Sequence, residues 1–205
     1  MLDEIGDKIS DTVAINSANV DENQKEIVKY FVVQILGEIS KLILMIAIAY
    51  LLGVGKLFLI CFLAMSVYRC VGGGFHCKGH VSCFIISFIF FFGNIYASLY
   101  IKNAYLDYIY LAMMIFNLIV ISLYAPADTE MKPIVSKKLR RNLKIISYIA
   151  MLGTIAVGRF LITDLTIRNM CIFGTFIQSI TMLPFAYRLS GTKYGFRDGI
   201  FEPQI

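Results

Sequence analysis

Six long apolar runs constrain this chain more than any other feature, because they leave little polar sequence between them. The runs cover residues 42–52, 57–68, 84–101, 105–124, 145–162 and 169–187. The run from Phe84 to Ile101 approaches the length of about 20 residues that a helix needs to cross a bilayer. The chain is 58% hydrophobic and 16% charged, whereas soluble domains have about 25% charged residues. The sequence therefore predicts an all-α, polytopic membrane helix bundle that forms a single domain over residues 1–205.

The chain before the first run has an amphipathic pattern. Between Leu2 and Ile15 apolar residues recur at nearly helical spacing among Asp, Lys and Ser, which predicts an interfacial helix over residues 1–20. This start lacks the basic region and short apolar core of a secretory signal. From Glu22 we expect one long helix, amphipathic first and spanning later. Glu38 and Lys41 interrupt it at i,i+3, a spacing that lets them pair.

The formal net charge of +5 is better explained by membrane topology than by nucleic-acid binding. With the N-terminus inside and six alternating spans, 14 of the 19 Lys and Arg residues fall inside, four fall outside, and Lys41 stays within a span. The outside group is Lys56, Lys102, Arg159 and Arg168. Cytoplasmic loops carry an excess of Lys and Arg. We therefore expect a multi-pass cell-membrane protein with both termini cytoplasmic and no nucleic-acid partner.

A polar, reactive stretch lies between the second and third runs, over residues 69–83. It contains both histidines of the chain, three of its five cysteines and a triplet of glycines. Such a patch between membrane-length segments is costly to keep unless it does chemistry. The cysteine count is odd and the spacing is not that of a disulfide framework, so we expect free thiols. The residue types point to a cysteine nucleophile at a membrane surface.

Several assignments within this stretch stay open from the residues alone. Cys70, Cys77 and Cys83 compete as nucleophile, and His76 and His80 compete as base. If a helix begins near His80, Cys83 lies in its first turn, where the helix dipole favours a thiolate. On a regular helix His80 reaches Cys83 at i−3. His76 lies about 10 Å away along the helix axis, so the chain must fold back at Gly79 to bring it closer.

Other parts of the stretch can assist or change this chemistry. Arg69 and Lys78 bring positive charge that also favours a thiolate. The backbone N–H groups of Gly72, Gly73 and Gly74 can form an oxyanion hole, although a glycine triplet can also be a simple turn. In a competing hypothesis the His and Cys residues form a zinc site in a non-enzymatic membrane transporter or sensor. Their spacing matches no common zinc framework, so we expect no metal or other cofactor.

The stretch R-C-V-G-G-G-F-H-C-K-G-H-V-S-C-F resembles the accessory gene regulator protein B (AgrB) family. The resemblance rests on Arg69, the glycine-rich turn, and the His-x6-Cys spacing of His76 and Cys83. The loop A-P-A-D-T-E-M-K-P-I, with the Lys/Arg cluster after it, resembles the family's second cytoplasmic loop, here predicted over residues 125–144. Size, number of apolar segments and orientation also agree. Cys77 and His80 are departures, since they add reactive residues beside the pair.

The resemblance implies a membrane-embedded cysteine endopeptidase of a Gram-positive bacterium that processes the precursor of a quorum-sensing peptide. It assigns Cys83 as nucleophile and His76 as general base, with His80 as the alternative base, and no third residue that orients His76 is identifiable. It implies a thioester intermediate that closes to a thiolactone or lactone. It also implies an AgrD-like precursor with an acidic tail, contact with lipid, and a homodimer. Basic residues that could attract this tail are Lys132, Lys137, Lys138, Arg140 and Arg141.

Overall fold

The computed structural model describes residues 22–77, 79–102, 105–129 and 133–194, with the backbone alone for residues 22–31, 34 and 80. The predicted amphipathic helix over residues 1–20, Lys78, Lys132 and the tail after Tyr194 lie outside these ranges. The described residues form seven helices, and their all-α architecture is the one that the sequence predicts. In chain order they are α1 Glu22–Leu51, α2 Gly55–Gly72, α3 His80–Tyr100, α4 Leu106–Tyr124, α5 Lys137–Ala156, α6 Leu165–Ile180 and α7 Pro184–Ser190. A π-helical turn, Val157–Leu161, extends α5.

The chain separates into two compact units, the first ending at Gly55 and the second beginning at Lys56. The first unit contains α1, which runs as one helix of 30 residues, as the sequence predicts. Lys41 and Glu38 pair at 2.5 Å, and the Lys41 side chain is 10% exposed. The predicted i,i+3 ion pair is thus confirmed, and it partly neutralises a cation that would otherwise be costly in an apolar setting.

Helix α6 lies at the centre of the second unit. It packs against α3, α4 and α5, and its buried residues include both apolar and polar side chains. Asn94 of α3 donates to the Met170 carbonyl oxygen of α6 (3.1 Å) and to the Cys61 sulfur of α2 (3.3 Å). Buried polar side chains in a helical bundle need such partners. The hydrogen bonds from the Asn94 side chain therefore determine which faces of α2, α3 and α6 pack together.

Four of the described helices are long and apolar enough to cross a membrane: α2, α3, α4, and α5 with its π turn. The pair α6 and α7 would add a fifth if the two form one broken span. The sequence predicts six apolar segments, and α1 does not meet the criterion within the described residues. Its purely apolar part begins only after Lys41, so it is shorter than the length of about 20 residues that a span needs.

Two predicted boundaries are wrong. The basic loop predicted over residues 125–144 ends earlier, because α5 begins at Lys137. Ser136 caps this helix by accepting the Leu139 N–H at 3.3 Å, a common role for serine. The apolar run 169–187 is not one helix, because α6 and α7 meet at a bend of 74°. Pro184 starts α7, and proline suits a first turn but not a helix interior.

Candidate functional site

The reactive stretch and the loop after α4 meet at one end of the second unit, which we call the site end. Gly73 and Ala127 form a parallel β-bridge. The Gly74 N–H donates to the Ala127 carbonyl oxygen, and the Ala127 N–H donates to the Gly72 carbonyl oxygen, both at 2.9 Å. The Phe75 N–H donates to the Thr181 carbonyl oxygen at 3.1 Å. The site end therefore joins the end of α2, the loop after α4 and the end of α6.

Arg69 secures the reactive stretch from the last turn of α2. Its Nη2 donates to the Phe75 carbonyl oxygen at 2.7 Å. Its Nη1 donates to Thr181 Oγ1 at 3.0 Å and to Gln178 Oε1 at 3.4 Å. A guanidinium group presents several donors in a fixed plane, so one side chain can hold both the turn and α6. The position of Arg69 explains why an arginine suits this site better than a lysine would.

The three glycines pack closely against other segments of the same chain. Gly73 and Gly74 have φ angles of +75° and +125°, which side-chain-bearing residues rarely adopt. A Cβ atom on Gly73 would lie 2.2 Å from the Ala127 oxygen, and one on Gly72 would lie 2.4 Å from the Met182 methyl carbon. Gln178 Nε2 also donates to the Gly73 carbonyl oxygen at 2.6 Å. The glycines thus allow the turn to pack directly against the loop and α6.

The N–H groups of the turn already donate within the protein. The Gly73 N–H donates to the Arg69 carbonyl oxygen at 3.1 Å, and the Gly74 N–H to Ala127 as described. An oxyanion hole built from Gly73 and Gly74 would require these donors to leave their present acceptors. The oxyanion hole therefore stays a prediction. The contacts in the structure indicate a packing role for Gly73 and Gly74.

His76 and Cys83 lie on either side of the start of α3. His76 is exposed and lies in the non-helical segment after the glycine turn, whereas Cys83 is half-buried in the first turns of α3. The helix begins at His80, as expected if Cys83 is to lie near a helix N-terminus, and the Cys83 N–H donates to the Gly79 carbonyl oxygen at 3.0 Å. Because His76 lies outside α3, the separation expected for His76 and Cys83 on one continuous helix does not apply to them.

The other cysteines occupy different settings. Cys70 is exposed in the last turn of α2, Cys77 is half-buried, and Cys61 and Cys171 are buried in the bundle. All five carry free thiols. Across the described residues, no three His, Cys, Asp or Glu side chains lie together as a metal site would require. The zinc hypothesis thus gains no support from the side chains that the structure describes.

The basic residues predicted to attract a substrate tail fall into two groups. Lys137, Lys138 and Arg141 are exposed on the first turns of α5. Arg140 instead turns inward, where its Nη2 pairs with the buried Asp128 carboxylate at 2.7 Å. The structure therefore brings Arg140 together with the loop, and leaves the other three side chains at the surface of the site end.

Sequence reasoning missed four residues that hold the site end together: Asp128, Gln178, Thr181 and Tyr187. The Tyr187 hydroxyl donates to the carbonyl oxygens of Ala127 (3.1 Å) and Asp128 (2.9 Å). These contacts join segments far apart in the chain, for example 105 positions for Gln178 and Gly73. The sequence offers one signal, the acidic residues Asp128 and Glu130 inside a loop that contains prolines and several basic residues, and it does not identify a partner.

Comparison with known proteins gives a consistent relationship over most of the chain. The family model for Accessory gene regulator B matches residues 6–182. A "Putative AgrB-like protein" of Clostridium acetobutylicum is 30% identical over 156 residues, which are 76% of this chain and 73% of that protein. An "Accessory gene regulator protein B" of Staphylococcus aureus is 29% identical over 151 residues, which are 73% of this chain and 78% of that protein. No solved structure matches significantly. The chain therefore belongs to the accessory gene regulator B family.

Proposed function

We propose that this protein is a membrane-embedded cysteine endopeptidase that removes the C-terminal tail of a quorum-sensing propeptide and promotes its cyclisation. The observation that carries the proposal is the family match, which runs from residue 6 to 182 and includes both His76 and Cys83. The setting of Cys83 supports it, because Cys83 lies in the first turns of α3, directly after the segment that carries His76. His76 precedes this helix by only a few residues.

The proposed chemistry begins with proton transfer from the Cys83 thiol to His76. The thiolate attacks a peptide carbonyl of the precursor, the peptide C–N bond breaks, and the leaving amine takes the proton from His76. The product is a thioester between the precursor and Cys83. A thiol or hydroxyl earlier in the precursor then attacks this thioester, which closes a thiolactone or lactone and returns the sulfur as a thiol.

Exclusion of water would preserve the ring-closing step. Passing an acyl group from sulfur to sulfur keeps most of its activation, whereas hydrolysis loses it. A site flanked by apolar helices limits the access of water. The exposed Lys137, Lys138 and Arg141 side chains would attract an acidic precursor tail. Lys132, which lies outside the described residues, is proposed for the same role from the sequence. The resemblance further implies a homodimer in the cell membrane.

The first experiment tests the nucleophile. Cys83→Ala and Cys83→Ser are each co-expressed with the precursor, which we expect to be encoded by a short reading frame beside this gene. Both variants should lose tail release by at least about a hundredfold, while Cys70→Ala, on an exposed cysteine of the same stretch, should retain it. Retained cleavage in both Cys83 variants would contradict the proposal.

Separate substitutions test the base. We expect His76→Ala to abolish thioester formation and His80→Ala to retain it, with the acyl-enzyme detected by mass spectrometry of the intact protein. If only the His80 variant failed, the base would be His80. Metal analysis tests the competing hypothesis, because stoichiometric zinc that is lost on substitution of Cys83 would favour a metal-binding sensor.

A further inference from the structure

A buried ion pair closes the loop between α4 and α5. The Asp128 side chain is 2% exposed and the Arg140 side chain is 25% exposed, and their charged groups lie 2.7 Å apart. The same carboxylate oxygen accepts the Ile134 N–H at 3.0 Å. Burial of a carboxylate is costly unless it is paired with a cation and accepts hydrogen bonds. Arg140 supplies that cation.

Arg140 also holds the two halves of the loop. Its Nη1 donates to the Pro126 carbonyl oxygen at 3.3 Å, and its Nη2 reaches the Ile134 carbonyl oxygen at 3.5 Å. The guanidinium group thus contacts the chain before and after the residues that the structure leaves undescribed. We call this arrangement, Asp128 with Arg140, the clasp.

The clasp is adjacent to the backbone contacts that define the glycine turn. Ala127, next to Asp128, exchanges hydrogen bonds with Gly72 and Gly74. The Tyr187 hydroxyl fixes the Ala127 and Asp128 carbonyl oxygens from the other side. His76 follows Gly74 by two residues. A shift of Asp128 would therefore move the segment that carries the proposed general base.

We propose that Asp128 and Arg140 are positioning residues, which set the placement of the His76 segment through the Ala127–Gly73 bridge. This inference rests on the proposed function. It separates Arg140 from the neighbouring basic residues, because its guanidinium group is committed to Asp128, Pro126 and Ile134. Among the described basic residues of this region, Lys137, Lys138 and Arg141 then remain to attract the acidic precursor tail.

The charge of Asp128 provides a test that distinguishes a positioning role for Arg140 from direct binding of the substrate. Arg140→Gln leaves a buried carboxylate without its cation, which is worse than losing both charges. Adding Asp128→Asn to Arg140→Gln removes the unpaired charge and leaves two neutral groups that can hydrogen-bond. The double variant should therefore be more active than Arg140→Gln alone. If Arg140 bound the precursor tail directly, removal of Asp128 would restore nothing.

The experiment measures kcat and KM for tail release by the purified full-length protein in lipid nanodiscs. Arg140→Gln should lower kcat at least about tenfold with KM within about twofold of the wild type, since misplacement of a reacting group costs rate rather than binding. The kcat of the double variant should be at least about threefold higher than the kcat of Arg140→Gln alone. Simultaneous Lys137→Gln, Lys138→Gln and Arg141→Gln substitutions should instead raise KM and reduce its dependence on salt.

A matched ion pair provides the control. Arg159 and Asp107 lie 3.2 Å apart at the opposite end of the second unit, with side chains 41% and 72% exposed. Arg159→Gln, alone and with Asp107→Asn, should leave kcat and KM unchanged, because exposed pairs contribute little. A rise in KM at constant kcat for Arg140→Gln, or equal activity of the single and double variants, would overturn the clasp proposal.

A second readout does not depend on peptidase activity. In a background where Cys61, Cys70, Cys77 and Cys171 are replaced by alanine, the alkylation rate of Cys83 reports its surroundings. Arg140→Gln should change this rate at least about threefold, and the double variant should bring it back towards the starting value. Loss of cleavage on Cys83→Ala with no effect of the clasp variants on either readout would refute the clasp and leave the peptidase proposal standing. If the clasp variants changed the alkylation rate of Cys83 but cleavage did not depend on Cys83, the peptidase proposal would be refuted. The positioning role would be refuted with it.

Discussion

Gly73 is the residue on which the geometry of the site end depends most directly. Its φ of +75° is in the left-handed region, and a Cβ atom there would lie 2.2 Å from the Ala127 oxygen. That oxygen accepts hydrogen bonds from both the Gly74 N–H and the Tyr187 hydroxyl. Any side chain at this position would therefore disturb both the turn and the loop.

Gly73→Ala is expected to destabilise the protein by at least about 1–2 kcal/mol from the left-handed backbone alone, and the displaced loop adds to this cost. The measurement is the thermal unfolding midpoint of the detergent-solubilised protein, together with tail release. Gly93→Ala is the matched control, because a Cβ atom on Gly93 would meet no atom outside its own turn of helix within 4 Å. Equal midpoints for both variants would show that the bridge to Ala127 is not maintained in solution.

At the scale of elements, α6 explains how the bundle is organised. Asn169 is fully buried near its start and accepts a hydrogen bond from the Tyr110 hydroxyl of α4. Its Nδ2 donates to the carbonyl oxygens of Ile101 (3.0 Å) and Ser98 (3.3 Å) at the end of α3. One amide thus joins three helices at the end opposite the proposed active site.

Asn169→Leu should destabilise the bundle by about 2 kcal/mol or more, because it leaves buried partners without their hydrogen bonds. This corresponds to a fall of about 4–8 °C in the unfolding midpoint. The kcat of the folded fraction should stay unchanged, since the substitution lies far from the site end. Asn142→Leu, at an exposed position of α5, is the control, and an equal fall in that variant would contradict the role of the Asn169 bonds.

The elements also show what a single sequence can and cannot reveal. Apolar length was enough to find α2, α3 and α4, and the spacing of Glu38 and Lys41 was enough to pair them. The start of α5 is not evident from the sequence, because its basic first turns resemble a continuation of the basic loop despite Ser136. The break before Pro184 was missed because the flanking residues are apolar on both sides. The contacts of Asp128 and Arg69 could not be found, since they depend on helices that meet only in the folded chain.

On the scale of the whole molecule, the sequence supplied the class and the chemical groups of the site. Within the second unit, the described Lys and Arg residues are unevenly divided between the two ends of the helices. The site end has Arg69, the basic start of α5 and Arg188, whereas Lys56, Lys102, Arg159 and Arg168 lie at the other end. Such a division is typical of proteins oriented by the excess of positive charge on the cytoplasmic side.

We expect Val135→Cys to face the cytoplasm and Lys102→Cys to face the outside, each introduced into a cysteine-free background. Both positions are exposed. A membrane-impermeant maleimide should label Lys102→Cys in intact cells and Val135→Cys only after permeabilisation, because the reagent cannot cross the bilayer. The reverse pattern would invert the orientation, and labelling of both in intact cells would show that the two ends do not lie on opposite sides.

The bridge between Gly73 and Ala127 has a consequence for grafting segments between relatives. A transplanted basic loop would arrive without the turn that it hydrogen-bonds, and a transplanted turn would arrive without Thr181 and Gln178. Tyr187 adds a third requirement, because it lies beyond residue 182, where the family match ends. A functional graft would therefore have to exchange all three segments together, including a portion of chain that alignment to the family alone would leave behind.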